Sequence, residues 1–234
     1  MVRNLKIKIV SVYFNYGSSG VYKRLAKVWE YSLKKNTPDA DVELIKVDPP
    51  KLKNIRKRSC ISNTHKLKIW EDCIEKYNCP ILFMDCDILV LGDMLKPFEE
   101  DFDIAYTKRS STLPFNGGVL YTKPTEKTKK FMRLYLEVNN EMLKNPLFHQ
   151  AYRRKYGGMN QSAFGYLLEK ESSQLTIKAL PETWNLCEKL DRIPKDTKAI
   201  HVKSRLRRVC MSGIKEPNTL QAYRLWNQYE EEAG

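Results

Sequence analysis

Asp85 and Asp87, parted by Cys86 within the run ILFMDCDILVLGDM that starts at Ile81, are the residues whose types and spacing point most directly to chemistry. An apolar stretch stops at these carboxylates and then resumes. A strictly extended chain turns residues two apart the same way, and a kinked one still leaves both near one point. Paired carboxylates repel unless protons or a cation lie between them. A hard divalent metal with carboxylate and water ligands is the natural occupant. A capped, hydrated turn would explain a lone Asp-x-Asp as well, and the flanking apolar runs are what favour a site.

The elements that position these acids follow from the pattern around them. Ile81, Leu82, Phe83 and Met84 run apolar without alternation just after Pro80, as a strand covered on both faces does, so Asp85 marks its carboxyl end. In open α/β sheets, ligands bind at that edge. Residues 5–14 read as an opening strand and 15–20 as a loop. Val21, Leu25, Val28, Trp29 and Leu33 recur at helical spacing, with Ser18 or Ser19 as N-cap and Pro38 beyond the end. Asp41–Val47 gives a second strand. After a basic stretch, Leu67, Trp70, Cys73, Ile74 and Tyr77 mark a helix leading into the Asp85 strand. Further strands are expected over 102–107, 118–122, 175–180 and 198–202, and helices over 125–140, 159–168 and 218–231. Strands alternating with helices predict a mainly parallel sheet.

A chain of 234 residues can bury the core of a single domain. The opening MVRNLKIKIV turns directly into a charged, alternating strand, and no run approaches membrane-spanning length, so a soluble, cytoplasmic protein without an integral membrane segment is expected. The six cysteines form no Cys-x-x-Cys pair, which argues against a zinc site or redox dithiol. Lys and Arg number 41 against 28 Asp and Glu, a net charge of +13 that favours anionic partners. The excess is clustered in KLKNIRKR from Lys51, RRK from Arg153 and KSRLRR from Lys203.

Taken in order, FMDCDILVLGDM, FNGGVLYTK from Phe115, GGMNQSAFGYLL from Gly157, LPETWN from Leu180 and AIHVKSR from Ala199 form a series. It resembles the GT-A-type nucleotide-sugar glycosyltransferases, especially the glycosyltransferase family 8-like group, from about Leu5 to Arg205. The resemblance implies an α/β, Rossmann-like GT-A fold: a mixed, mainly parallel sheet flanked by helices. One domain, 1–234, would comprise a nucleotide-binding half over 1–107 and a sugar- and acceptor-binding half over 108–234.

The resemblance also implies roles. Asp85, Asp87 and His201 match the ligands of a manganese or magnesium ion on the donor diphosphate, and an imidazole beside carboxylates suits manganese better. The family's glycine followed by Lys-Pro-Trp is missing after His201, so Lys203, Arg205 and Lys66 all stand as cations for the phosphates. Tyr13, Phe14, Asn15 and Tyr16 follow the first strand, where a nucleotide base and ribose would lie; they fit a core-and-turn role equally. Asn116, Gly117 and Gly118 match a turn beside the donor sugar, of which UDP-glucose is an example. Asn160 and Gln161 fall where the family carries Asp-Gln. An amide cannot accept a proton at neutral pH, so Asn160 cannot serve as the base of an inverting displacement. It can bond sugar hydroxyls, while Gln161 stabilises positive charge at the anomeric carbon. A retaining, front-face transfer is therefore expected, with Trp184 and Asn185 shaping the pocket or the core.

The three basic clusters suggest a polyanionic acceptor. DNA with hydroxymethylated bases stands ahead of an anionic glycolipid or other glycan, because no long amphipathic tail for peripheral membrane contact is evident. Two rival readings are a non-catalytic nucleic-acid-binding protein and a metal-dependent nucleotidyltransferase. The latter needs a further carboxylate, for which Asp93 is the nearby residue.

Overall fold

β-Branched and aromatic residues dominate Lys8–Phe14, the first strand (β1), and nearly all of them are buried. The computed structural model describes residues 6–16, 20–109, 113–170, 174–188, 190–214 and 216–234. After β1 come α1 (Val21–Asn36), β2 (Asp41–Val47), α2 (Ile55–Tyr77), β3 (Ile81–Asp85) and β4 (Ile88–Val90). These are followed by β5 (Ile104–Lys108), β6 (Phe115–Thr122), α3 (Glu126–Lys144), α4 (Pro146–Tyr156) and α5 (Met159–Lys170). The chain closes with β7 (Ile177–Leu180), β8 (Ala199–His201), α6 (Ser204–Ser212) and α7 (Leu220–Glu232).

Six strands form one sheet in the order β2-β1-β3-β6-β5-β7. Only β6 runs against the rest, pairing antiparallel with β3 and β5, so the sheet is mixed and mainly parallel. β3 explains why its sequence is apolar without alternation. Ile81 and Phe83 enter a cluster with Leu67 and Trp70 of α2 and Phe131 of α3, while Leu82 and Met84 face Trp29 and Leu33 of α1. Trp70 stacks on Phe83 with ring centroids 4.8 Å apart. A third cluster joins α1, α6 and α7 through Leu25, Leu206, Cys210 and the fully buried Trp226.

Several boundaries differ from the sequence reading. The helix after the basic stretch in fact begins inside it, because the Asn54 side chain accepts from the Lys57 amide at 2.9 Å and caps α2 at Ile55. The cap position of α1 is Gly20, at φ 61, while Ser18 and Ser19, like Leu5, lie outside the described residues. α4, α6 and the short β4 are additional elements. All six cysteines are free thiols. No helix among the described residues is long and apolar enough to cross a membrane.

Candidate active site

The register of two sheets brings the acids and the imidazole together. Asp85 ends β3 opposite Val12 of β1, and on the other side Met84 pairs with Val119 of antiparallel β6, which sets Gly118 opposite Asp85. The chain turns at Cys86 and Asp87 and resumes as β4, whose Ile88 pairs with His201 of β8. The Val202 amide bonds the Asp87 carbonyl at 2.7 Å and closes that ladder. A short two-stranded sheet thus carries a residue from late in the sequence to the acidic pair.

Each carboxylate divides its oxygens between the imidazole and a cation. Asp87 Oδ1 lies 3.2 Å from Nε2 of His201, and Asp85 Oδ2 lies 3.8 Å from it. The remaining oxygens go to Lys66, 2.6 Å from Asp85 Oδ1, and to Arg207, which pairs with Asp87 Oδ2. Burial opposes ionisation of Asp87, but His201, Arg207 and Lys66 outweigh it and hold the carboxyl well below its ordinary range. Cys86, wedged between the acids, is pushed far up by burial and then by Asp87 and Asp85, so it stays a thiol.

The donor set suits a divalent cation. Ligand atoms of Asp85, Asp87 and His201 all lie within 4.8 Å of one another. Two carboxylates with one imidazole fit manganese or magnesium. The space is shaped for the cluster as well: a Cβ on Gly118 would come within 2.5 Å of His201 Cε1 and 3.2 Å of Asp85 Oδ2, so only glycine leaves the ring its place.

These residues sit in an open cleft that also takes in Phe14, Tyr16, Lys66, Asn116, Gly117, Asn160, Gln161, Lys203 and Arg207. At one end the Tyr16 and Tyr22 rings lie 5.3 Å apart, and the Tyr16 hydroxyl bonds Ser62 Oγ at 2.5 Å. At the other, Gln161 Nε2 donates to the carbonyls of Phe115 and Tyr156 at 3.0 and 2.9 Å. Only an NH2 group can meet two carbonyls, so the amide is oriented with Oε1 as its uncommitted end. Asn160 Nδ2 donates to the Asn63 carbonyl at 3.0 Å, and its buried Oδ1 has no partner. Such an orphaned acceptor costs on the order of 1–3 kcal/mol until a ligand donor meets it.

Not every residue picked from the sequence enters the cleft. The Tyr13 ring is buried against Ala26 and Cys86, and its hydroxyl donates to Asn15 Oδ1 at 3.1 Å; neither lines the cleft, and both border a small recess beside it that Tyr16 and Tyr22 also line. Arg205 points away and pairs with Glu216 at 2.9 Å. Trp184 packs edge-on against Tyr121 in the core, and the buried Asn185 bonds Thr107 Oγ1 at 3.3 Å. Lys203 lines the cleft with no salt-bridge partner among the described residues, and burial, then the nearby Arg109, draws its pKa down.

Arg207 was missed because KSRLRR reads as a surface charge run. The helical spacing of Leu206, Val209 and Cys210, which α6 buries, was the available signal. The helix turns Arg207 inward, where it also donates to the Tyr22 hydroxyl at 3.0 Å and the Val202 carbonyl at 3.2 Å.

The chain belongs to the Nucleotide-diphospho-sugar transferase family, whose profile matches residues 64–206, a span holding Asp85, Asp87 and His201. No curated protein matches the sequence. Among solved structures the chain is similar to the glycosyltransferase GlyE in Streptococcus pneumoniae TIGR4, at 14% identity and TM-score 0.59 over 97% of this chain and 65% of that one. This chain therefore spans just under two thirds of GlyE. It is similar too to galactosyltransferase LgtC, at 13% identity and TM-score 0.59 over 96% of this chain and 95% of that one. A glycosyltransferase involved in glycosylation of the major capsid of PBCV-1 shares 13% identity at TM-score 0.60, over 89% of this chain and 99% of that one. At such identities the likeness concerns the fold, which is GT-A-type α/β.

Proposed function

We propose that the chain transfers a sugar from a nucleoside-diphosphate sugar, of which UDP-glucose is an example, to an acceptor hydroxyl with retention of anomeric configuration. The observation that carries this reading is the convergence of Asp85, Asp87 and His201 beside three cations, Lys66, Lys203 and Arg207, in one cleft. That arrangement complements a diphosphate bridged to a divalent ion. The aromatic wall of Phe14, Tyr16 and Tyr22 suits a nucleotide base.

A divalent cation, for which manganese is the better fit, neutralises the departing diphosphate when bound by Asp85, Asp87 and His201. The chain's own residues do the rest. Lys203 and Arg207 stabilise negative charge as the bond from the anomeric carbon to the phosphate oxygen breaks. Gln161 Oε1 offers its partial negative charge to the developing oxocarbenium ion, and Asn160 Oδ1 accepts from a sugar hydroxyl. The acceptor oxygen then bonds the anomeric carbon on the face the diphosphate leaves, and its proton passes to the departing phosphate oxygen.

The retaining course rests on what lines the cleft. Among the described lining residues, the carboxylates are Asp85 and Asp87, each held by a cation, so none serves as a general base for back-side attack. Asp93, the further acid a nucleotidyltransferase would need, instead caps a turn by accepting from the Leu95 amide at 2.9 Å.

The test is incubation with manganese and a panel of nucleotide sugars. Release of nucleoside diphosphate from one donor, lost in Asp87→Ala, is expected. Release of pyrophosphate, or indifference to Asp87→Ala, would contradict the proposal.

A further inference from the structure

Two of the three basic clusters, separated by about a hundred residues of sequence, meet at one recess. Arg56 on the first turn of α2 and His149, Arg153 and Arg154 on α4 line it together. No aspartate or glutamate occurs between Asp48 and Glu71, or between Glu141 and Glu169. The residues that line the recess include no carboxylate. His149 Nε2 is buried there without a hydrogen-bond partner, and burial followed by the charges of Arg153 and Arg56 draws the ring's pKa down. The recess is a set of donors without an anion.

The same place carries exposed apolar side chains. Ile55, beside Arg56, is 72% exposed, and Leu147, one turn before Gln150 and two before Arg154 on α4, is 78% exposed. They are the two most exposed large apolar side chains among the described residues. Both stand next in sequence to residues that line the recess, Arg56 and Pro146. A duplex phosphate backbone is met by cations and polar donors and has no use for protruding aliphatic groups, whereas the interface of an anionic bilayer takes both.

We propose that the α2–α4 corner is a docking face for an anionic phospholipid bilayer, with lipid phosphates in the Arg56, Arg153 and Arg154 recess and Ile55 and Leu147 inserted at the headgroup boundary. Along α2 the spacing Arg56, Ser59, Ser62 or Asn63, Lys66 runs as one stripe from the recess into the cleft, so the docked face brings the active site to the bilayer surface. An acceptor carried on a lipid follows. That last step rests on the transferase reading, while the docking face does not.

The experiment is co-sedimentation of the full chain with phosphatidylcholine vesicles that contain or lack phosphatidylglycerol, alongside release of nucleoside diphosphate from free donor. Wild type is expected to partition onto the anionic vesicles and not the neutral ones. Arg56→Ala with Arg153→Ala lowers partitioning roughly five-fold per arginine, and Ile55→Ser with Leu147→Ser lowers it on the order of ten-fold. All four sites are on the surface, and both double variants are expected to melt and hydrolyse free donor as wild type does. Anionic-vesicle binding that survives the apolar pair unchanged overturns the proposal, as does a wild type that binds duplex DNA but no anionic vesicle. Vesicle binding by a protein that hydrolyses no donor would uphold the docking face and strike the transferase reading instead.

Discussion

Asn116 holds His201 from behind: its Nδ2 lies 3.1 Å from Nδ1 of the imidazole, on the side opposite the acids. Both residues are buried. Asn116 Oδ1 accepts from the Gly118 amide at 3.3 Å, which turns Nδ2 toward Nδ1 of the ring while Nε2 faces Asp85 and Asp87. Thr107 Oγ1 donates to the Asn116 carbonyl at 3.2 Å, and Asn185 in turn donates to Thr107, which ties the contact into the sheet. Asn116→Ala is expected to weaken manganese binding about 10–100-fold. Titration calorimetry measures this, and an unchanged affinity would show that the contact does not orient the ring.

Gly118→Ala tests the cradle. The added methyl group would sit 2.7 Å from His201 Nδ1, so the ring has to leave its position. Loss of divalent-ion binding with retained secondary structure is expected by calorimetry and circular dichroism. Normal binding in the variant would show that the backbone absorbs the clash.

Ser204 opens α6 with φ 49, a left-handed conformation that costs a side chain about 1 kcal/mol or more. Ser204→Gly should relieve most of this and raise the melting temperature by about 2–4 °C. The same backbone turn aims Arg207 at Asp87, so donor affinity should hold. A lower melting temperature would mean that the serine makes a stabilising contact of its own.

Acid should weaken the fold through His149. Burial, Arg153 and Arg56 keep its folded pKa below the ordinary 6.5, and Arg154 also lines the recess with no carboxylate to offset them. The unfolded chain therefore takes up this proton at higher pH than the folded chain does, and stability falls as pH drops through 6.5 toward the folded value. In His149→Gln this component is absent. Denaturant melts from about pH 8 to about pH 5 should show the variant gaining on wild type in acid, and a constant difference would refute the assignment.

How much was legible in the sequence depended on whether a residue's neighbours were local. β3 and its terminal acids could be read because burial on both faces leaves an unbroken apolar run, Ile81–Asp85, that ends in charge. His201 was reached only through the resemblance, since pairing across the β4–β8 ladder leaves no local trace. α4 was overlooked because it buries little beyond Tyr156 and so lacks an apolar stripe, although Asn145 followed by Pro146 is a helix-start signal. Tyr13 and Tyr16 look alike in sequence, yet Tyr13 lies within β1 and is buried, whereas Tyr16, two residues past the end of the strand, lines the cleft. The meeting of Arg56 with Arg153 needed the fold itself.

The central claim is that Asp85, Asp87 and His201 together hold one divalent ion. Electron paramagnetic resonance of manganese, titrated into wild type and His201→Ala in the presence of UDP, tests it most directly. The account predicts saturable binding of one ion per chain and at least a ten-fold loss in the variant, about 1.4 kcal/mol. Equal binding by the two proteins, or no binding by wild type, would contradict it.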